Sequence, residues 1–226
     1  MESGNPLLDD YVLESTGAER PKVCFVPTAS GDADHYVVRF YRRFSAVADT
    51  SHVSLFRRDK GDGAVEGDLE SHLLQQDLIY VGGGSVLSLL GTWRAHGVDT
   101  ILKRAWRRGV TLCGLSAGSL CWFSEAVTAF HGPPEPVRGL GLLPHSNCVH
   151  YDGEAHRGEV YRQMVADGRM REGYAAEDGV ALHFEGRELA RAVSSRPQAR
   201  AFRVSTDGEH PLAVQYLGER AALAVA

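Results

Sequence analysis

The sequence predicts an α/β domain, three-layer α/β/α, with a mostly parallel central sheet, helices on both faces and short antiparallel strands near the C-terminus. Three observations carry that class. Continuous apolar runs at Pro21–Pro27, Leu78–Val81 and Val110–Cys113 have the length and make-up of strands buried on both faces. Helix-periodic segments alternate with the strands through at least four units, the pattern of parallel strands joined by crossovers. After residue 178 the rhythm changes to strand-length runs separated by turns.

Taken in order, Asn5-Pro6-Leu7-Leu8 opens a short helix through Leu13, and Pro21–Pro27 is the first buried strand. Thr28 to Asp34, rich in Ser, Gly and Asp, is a turn. Val37, Phe40, Tyr41 and Phe44 then fall at i, i+3, i+4 and i+7, one face of a helix. Val53-Ser54-Leu55-Phe56 is the next strand, followed by a polar glycine-bearing segment. Leu78–Val81 ends in Gly82-Gly83-Gly84-Ser85, and Val86, Leu87, Leu89, Leu90 and Trp93 mark the helix behind it. Ile101, Leu102, Ala105 and Trp106 mark the helix that feeds Val110–Cys113. Ser119–Phe123 continues as a helix with Cys121 in its first turns, and Phe130–Gly141, with three prolines, is a loop shaping a pocket wall. Asn147-Cys148-Val149 is a short strand ending at His150, and His156 starts a helix carrying Val160, Met164 and Val165. Val180–Phe184, Leu189–Val193, Ala201–Val204 and Leu212–Tyr216 are antiparallel strands flanking the main sheet.

The 226 residues are 43% apolar and 23% charged, enough for one sizeable core, and no Pro-, Gly- or Ser-rich linker interrupts them; a single domain over 1–226 is expected. A net charge of −5 argues against a nucleic-acid partner. The basic clusters Arg42-Arg43, Arg57-Arg58, Lys103-Arg104 and Arg107-Arg108 are short and scattered, and read as solvated element ends. Four cysteines without a C-x-x-C pair read as buried free thiols in a reducing compartment. No signal segment and no apolar run of membrane-spanning length is present, so a cytoplasmic protein with no membrane partner, monomer or homodimer, is expected.

Gly114-Leu115-Ser116-Ala117-Gly118 sits between a buried strand and a helix, with a serine at the apex. Glycines there remove Cβ atoms where strand and helix backbones approach, so the Ser116 hydroxyl can stand above the sheet. The alternative is a merely structural turn. A serine nucleophile needs a base, a group that orients the base, and N–H donors for the developing oxyanion, worth roughly 2.7–4 kcal/mol per donor removed. The helix start behind Ser116 offers N–H groups and partial positive charge, and the Ala117 N–H is the first donor. The second comes from Gly82-Gly83-Gly84, at the end of a neighbouring strand where an open parallel sheet lines its crevice; Gly83 and Ser85 would lie against the substrate. A phosphate loop is the rival, but no Gly-Lys-Ser/Thr follows and the third glycine of the dinucleotide fingerprint is missing.

Of the ten histidines, His150 stands where a strand ends on the same rim as Ser116, and is the candidate base against a surface or core histidine. His145 follows a proline in a loop and is less constrained. Glu177-Asp178-Gly179 precedes a strand and offers an acid, or is only a solvated turn.

Gly-Leu-Ser-Ala-Gly, a strand ending in Val-Gly-Gly-Gly, an Asn-Cys-Val-His-Tyr segment and an acid-Gly-x-x-Leu strand occur in this order. The chain thereby resembles the peptidase E (aspartyl dipeptidase) family of serine peptidases, family S51, which also contains cyanophycinase and has a class I glutamine amidotransferase-like fold. The resemblance runs from about Pro21 to about Val193. It implies Ser116 as nucleophile, His150 as general base, and the N–H groups of Gly84 and Ala117 as oxyanion hole, with no metal or organic cofactor. The third member falls on Asp178, where aspartyl dipeptidase has a glutamate; a slip of one places it on Glu177. Many members carry a further strand and Gly-rich turn ahead of the segment that Met1–Leu8 resembles, so a strand is missing here or the start is misassigned. A basic residue that selects an N-terminal aspartate in aspartyl dipeptidase has His156 or Arg157 as its substitute in Gly153–Arg157.

The function expected is therefore hydrolysis of short peptides, as a dipeptidase or related exopeptidase, through an acyl-enzyme on Ser116. The alternatives are a cyanophycinase-like amide hydrolase using the same residues, and a non-catalytic ligand-binding module. Amidotransferase chemistry proper uses cysteine at the elbow, and Cys113 lies inside the strand.

Overall fold

The computed structural model describes residues 1–2, 4–56, 68–153 and 155–219; the Arg57-Arg58 pair and Glu154 lie outside them. Contacts group the chain into two compact units, one of Met1 with Tyr11–Ser119, the other of Glu2–Asp10 with the chain from Leu120 onward. The N-terminal helix, α1 (Leu7–Glu14), lies where the sequence places it.

The first unit is built on a parallel sheet of β1 (Lys22–Val26), β2 (Asp49–His52), β3 (Leu78–Val81) and β4 (Thr111–Gly114), in the order β2-β1-β3-β4. Val23–Val26 and all of β3 are buried, which is why both read as unbroken apolar runs. The helices are α2 (Asp34–Phe44), α3 (Leu69–Leu74), α4 (Val86–His96) and α5 (Val98–Arg107). Phe40 and Phe44 are the buried face of α2; Phe40 stacks on Phe25 of β1 with centroids 5.0 Å apart. Helix α4 is capped by the Ser85 hydroxyl, which accepts from Ser88 N–H, and ends at Gly97 with φ +71°. Trp93 on α4 is fully buried and donates its indole N–H to Thr28 Oγ1 at 3.1 Å. Arg42 and Arg43 of α2 and Arg104 and Arg107 of α5 fall in the last turns, where they complement the helix dipole.

The second strand corrects the sequence reading. It is Asp49–His52, polar and only partly buried, rather than Val53–Phe56. Val53 N–H still donates to Phe25 O, but the N–H groups of Leu55 and Phe56 and the Ser54 hydroxyl donate to Asp32 Oδ2 at 2.7–2.8 Å. Asp32 sits at a left-handed corner (φ +56°) and takes the donors that a longer ladder would need.

Two further corrections follow β4. The helix behind Ser116, α6 (Ala117–Leu120), is a single turn and leaves Cys121 outside it, because Phe123 already opens β5 (Phe123–Thr128). The proline-rich loop contains β6 (Glu135–Arg138), antiparallel to β5; Pro136 is tolerated because β6 is an edge strand.

In the second unit, β5 and β6 join β7 (Leu143–Val149), β8 (Gly173–Ala176), β11 (Ala201–Ser205) and β12 (Gly208–Pro211) in a sheet ordered β12-β11-β8-β7-β5-β6. A separate three-stranded sheet holds β9 (Val180–Glu185), β10 (Glu188–Ser194) and β13 (Val214–Tyr216), with β9 and β10 antiparallel and β13 parallel to β10. The closing strands thus belong to two sheets and are not uniformly antiparallel flanks. Strands β8 (Gly-Tyr-Ala-Ala) and β12 (Gly-Glu-His-Pro) lack the β-branched residues that would have announced them. The core of this unit gathers Val127, Cys148, Tyr161, Val165, Ala175 and Phe202, with Tyr161 and Val165 on α7 (Ala155–Ala166).

Candidate active site

In the first unit, the C-terminal ends of the adjacent parallel strands β3 and β4 carry Gly82-Gly83-Gly84 and the Ser116 turn. Ser116 has φ +52°, a left-handed corner that non-glycine residues seldom occupy. The flanking glycines are required by space. A Cβ on Gly114 would overlap the Gly118 carbonyl, and one on Gly118 would overlap the carbonyls of Val81 and Gly82. Gly84 combines φ +137° with a Cα pressed on the Ala29 carbonyl, which no side chain permits. A Cβ on Gly83 would lie 3.3 Å from the Ser116 Cβ, so the glycine loop runs directly beside the serine. Ala117 is buried. Ser85 spends its hydroxyl on the α4 cap and its N–H on Ala29 O at 2.8 Å. With α6 only one turn long, any donors near Ser116 are local backbone N–H groups, not the end of an extended helix dipole.

In the second unit, the C-terminal ends of the parallel neighbours β7 and β8 carry His150 and Asp178. His150 also occupies a left-handed corner, with φ +56°. Its Nδ1 lies 2.7 Å from Asp178 Oδ1, and the two side chains are 34% and 44% exposed. Glu177 points elsewhere. Only 7% exposed, it receives Arg200 Nη2 at 2.6 Å and Nε at 2.8 Å on one oxygen and the Arg200 backbone N–H at 2.8 Å on the other. The structure therefore brings together His150 and Asp178 and ties the adjacent acid to an arginine. That pairing raises the Arg200 guanidinium further above its ordinary range, through the hydrogen bond and then the charge of Glu177.

The basic pair from Gly153–Arg157 divides. His156 is 82% exposed and pairs with Glu159 at 3.5 Å. Arg157 is buried and donates from Nη1 to the Val149 carbonyl at 3.2 Å, which supports the peptide just before His150.

Three supports escaped the sequence reading. The Asp152 carboxylate accepts the Asp178 N–H at 3.0 Å; the Asp-Gly turn was visible, but not its long-range partner. Tyr151, next to His150, donates its hydroxyl to Glu209 and accepts from Arg162 Nη1 at 2.9 Å. Burial, and then the Glu209 carboxylate, push the Tyr151 hydroxyl far above its ordinary range, so it stays protonated. Glu2 and Arg196 form an ion pair at 2.6 Å. Nothing local in the sequence links positions so far apart.

A serine on a strained glycine-flanked turn beside open backbone, and a histidine already paired with a carboxylate, are parts suited to acyl transfer by a hydrolase. Known proteins point the same way. The sequence model of peptidase family S51 matches residues 1–192. The chain is 45% identical over 224 residues to an uncharacterized peptidase, YgaJ, of Bacillus subtilis (strain 168), covering 96% of this chain and 94% of that protein. It is 29% identical over 153 residues to peptidase E of Streptomyces coelicolor, covering 65% of this chain and 59% of the relative. A crystal structure of a peptidase from an acI-B1 actinobacterium shares the fold with a TM-score of 0.70 at 15% identity, over 93% of this chain and 89% of that one. The protein is a peptidase. It belongs to peptidase family S51 and is a serine peptidase. Among the described residues no helix is long and apolar enough to cross a membrane.

Proposed function

We propose that the chain hydrolyses short peptides, in the manner of a dipeptidase or a related exopeptidase, through an acyl-enzyme on Ser116. The observation that carries the reading is the 2.7 Å contact of His150 Nδ1 with Asp178 Oδ1. A carboxylate that accepts from Nδ1–H selects the tautomer whose Nε2 is the basic nitrogen, and it stabilises the imidazolium formed when that nitrogen takes a proton.

In this mechanism Ser116 Oγ attacks the scissile carbonyl while its proton passes to His150 Nε2. The N–H groups of Gly84 and Ala117 hold the oxyanion, and Gly83 gives the substrate room to approach. The C–N bond then breaks as His150 returns the proton to the leaving amine. Water, activated by the same histidine, cleaves the Ser116 ester and regenerates the hydroxyl. The reaction as written uses no metal or organic cofactor. His156, the exposed member of the basic pair, is the candidate for meeting an acidic substrate group. A cytoplasmic enzyme, monomer or homodimer, without a nucleic-acid partner, suits the net charge of −5 and the free cysteines.

The test is hydrolysis of a library of dipeptides and tripeptides by wild type and Ser116→Ala, with covalent labelling by a fluorophosphonate. Turnover falls by roughly 10³-fold or more in Ser116→Ala, and the label is lost with it. Retained turnover in that variant sinks the nucleophile assignment, and cleavage of aspartate-rich polymer with no dipeptide turnover moves the substrate to the cyanophycinase-like alternative.

A further inference from the structure

Asp178 is one methylene shorter than a glutamate, so its reach to His150 depends on where the Asp178-Gly179 backbone is held. Three of the holds act on the residues around it: Glu177 N–H donates to Arg200 O at 3.0 Å, Asp178 N–H to the Asp152 carboxylate at 3.0 Å, and Val180 N–H to Glu177 O at 3.2 Å, closing the turn. The others converge on Gly179. Its carbonyl accepts from Ser195 N–H at 2.8 Å and from Ser195 Oγ at 3.3 Å. Gly179 has φ +87°, and the place a Cβ would take is filled by Arg196, whose Cγ and Cδ would each lie 2.9 Å from it. The Arg196 stem thus lies flat on Gly179, with its guanidinium charge felt at Asp178 and Asp152.

What keeps Ser195 and Arg196 there comes from the other end of the chain. Glu2 Oε1 receives Arg196 Nη2 at 2.6 Å and Nε at 3.2 Å, a two-pronged grip. Glu2 Oε2 accepts from Ser195 Oγ at 3.1 Å, and Asn5 Nδ2 donates to the Ser195 carbonyl at 3.0 Å. The Arg196 hydrogen bond, opposed by partial burial and aided by Ser195, holds the Glu2 carboxyl below its ordinary range, so the grip is ionised at neutral pH.

We propose that Glu2 and Asn5 form a clip that positions Asp178 through Arg196, so that proton transfer at His150 depends on residue 2. The inference rests on the reading of His150 and Asp178 as the general-base pair. Glu2 and Arg196 are positioning residues: neither touches the reacting atoms. The clip restrains the Asp178-Gly179 turn by packing and hydrogen bonding, and so fixes where the Asp178 carboxylate meets His150 Nδ1.

The test compares kcat and KM of wild type, Glu2→Gln, Arg196→Met, Arg196→Lys and the Glu2→Gln/Arg196→Met pair, together with the proton NMR resonance of His150 Nδ1–H. Each of Glu2→Gln and Arg196→Met lowers kcat about tenfold with KM within about twofold, because a small misplacement of a catalytic group costs rate rather than binding. The double variant is no slower than Arg196→Met alone, since the amide of Glu2→Gln still accepts from Ser195 Oγ and loses only the charged grip on Arg196. Arg196→Lys, which keeps a stem and a charge, recovers most of the rate. In Glu2→Gln the Nδ1–H resonance moves or broadens. Wild-type kcat in Glu2→Gln, or single effects that multiply in the double variant, overturn the clip. If Asp178→Asn turns out fully active, the base-pair reading has failed on its own; the resonance, which needs no turnover, then decides, and an unmoved signal in Glu2→Gln refutes the clip.

Discussion

Glu177 and Arg200 close on each other at 2.6 Å, and that pair leaves Asp178, one residue on, as the acid that meets His150. Asp178 and Gly179 form the corner of a turn that Val180 N–H closes on Glu177 O, and the two carboxylates are held by different partners.

The two acids are therefore expected to fail differently. Asp178→Asn leaves the backbone in place but removes the acceptor that fixes the His150 tautomer, and kcat falls by about 10⁴-fold. Glu177→Gln loses the Arg200 pair instead; its kcat stays within about twofold while its melting temperature drops. Steady-state rates and thermal melts on the same preparations check both arms, and the opposite pattern would move the third member to Glu177.

The glycines separate in the same way. Gly84→Ala drives a Cβ into the Ala29 carbonyl at φ +137°, and costs at least about 1–3 kcal/mol together with activity. Gly91 lies on the exposed side of α4 with nothing within 4 Å of a built Cβ. Gly91→Ala is expected to gain up to about 1 kcal/mol, with unchanged kcat. Urea unfolding midpoints measure both.

Stability should respond to pH through histidines kept neutral. Burial holds His52 and His72 below the ordinary value of 6.5, and each makes a hydrogen bond as the neutral ring, to Tyr41 at 2.9 Å and Ser51 at 3.0 Å. A depressed native value means that this stability is complete above 6.5. It is lost as the pH falls, because the unfolded chain takes up protons that the folded one resists. His145 and His183 are lowered too, with burial the first cause in each. Melting temperature is expected to fall between pH 7 and pH 5, and to fall less steeply in a His52→Gln/His72→Gln variant.

Thiol chemistry offers an independent check on the serine. Burial pushes Cys24 up to about 12 and Cys121 well above the ordinary thiol range, and Cys148 is fully buried. Cys113, in β4, is the partly accessible one. Iodoacetamide on the native protein is expected to reach Cys113 first and the other three only on unfolding, while Cys113→Ala keeps kcat within about twofold. Loss of activity in that variant, with folding intact, would point to sulfur at the reacting centre.

The legible part of the sequence was the part that is apolar on all sides or forced by space. β1 and β3 announced themselves because neither face meets water, and Gly84, Gly114 and Gly118 because crowded backbone admits no side chain there. His150 was read at the end of a strand, which β7 provides, whereas Asp178 was singled out by the family resemblance and not by its own surroundings in the sequence. The strand β2 was misread because a four-residue polar strand carries no period, and because Asp32, distant in sequence, takes the donors beyond it. Arg157 was expected, with His156, to face an acidic substrate group, yet it is buried on the Val149 carbonyl. Long-range partners of this kind, like Glu2 with Arg196, are set by tertiary packing and leave no local trace.

Ser116 and His150 share a property that bears on how relatives of this chain diverge. Both hold a left-handed backbone without being glycine, at φ +52° and +56°. Each corner would be more comfortable for glycine or asparagine, so the roles proposed for Ser116 and His150 are what would keep serine and histidine there. A descendant released from those roles would drift toward the relaxed residue at both corners while the crowded glycines around them stayed fixed by geometry. Glycine at position 116 or asparagine at position 150 in an otherwise intact chain would then mark a lineage that kept the scaffold and gave up the chemistry.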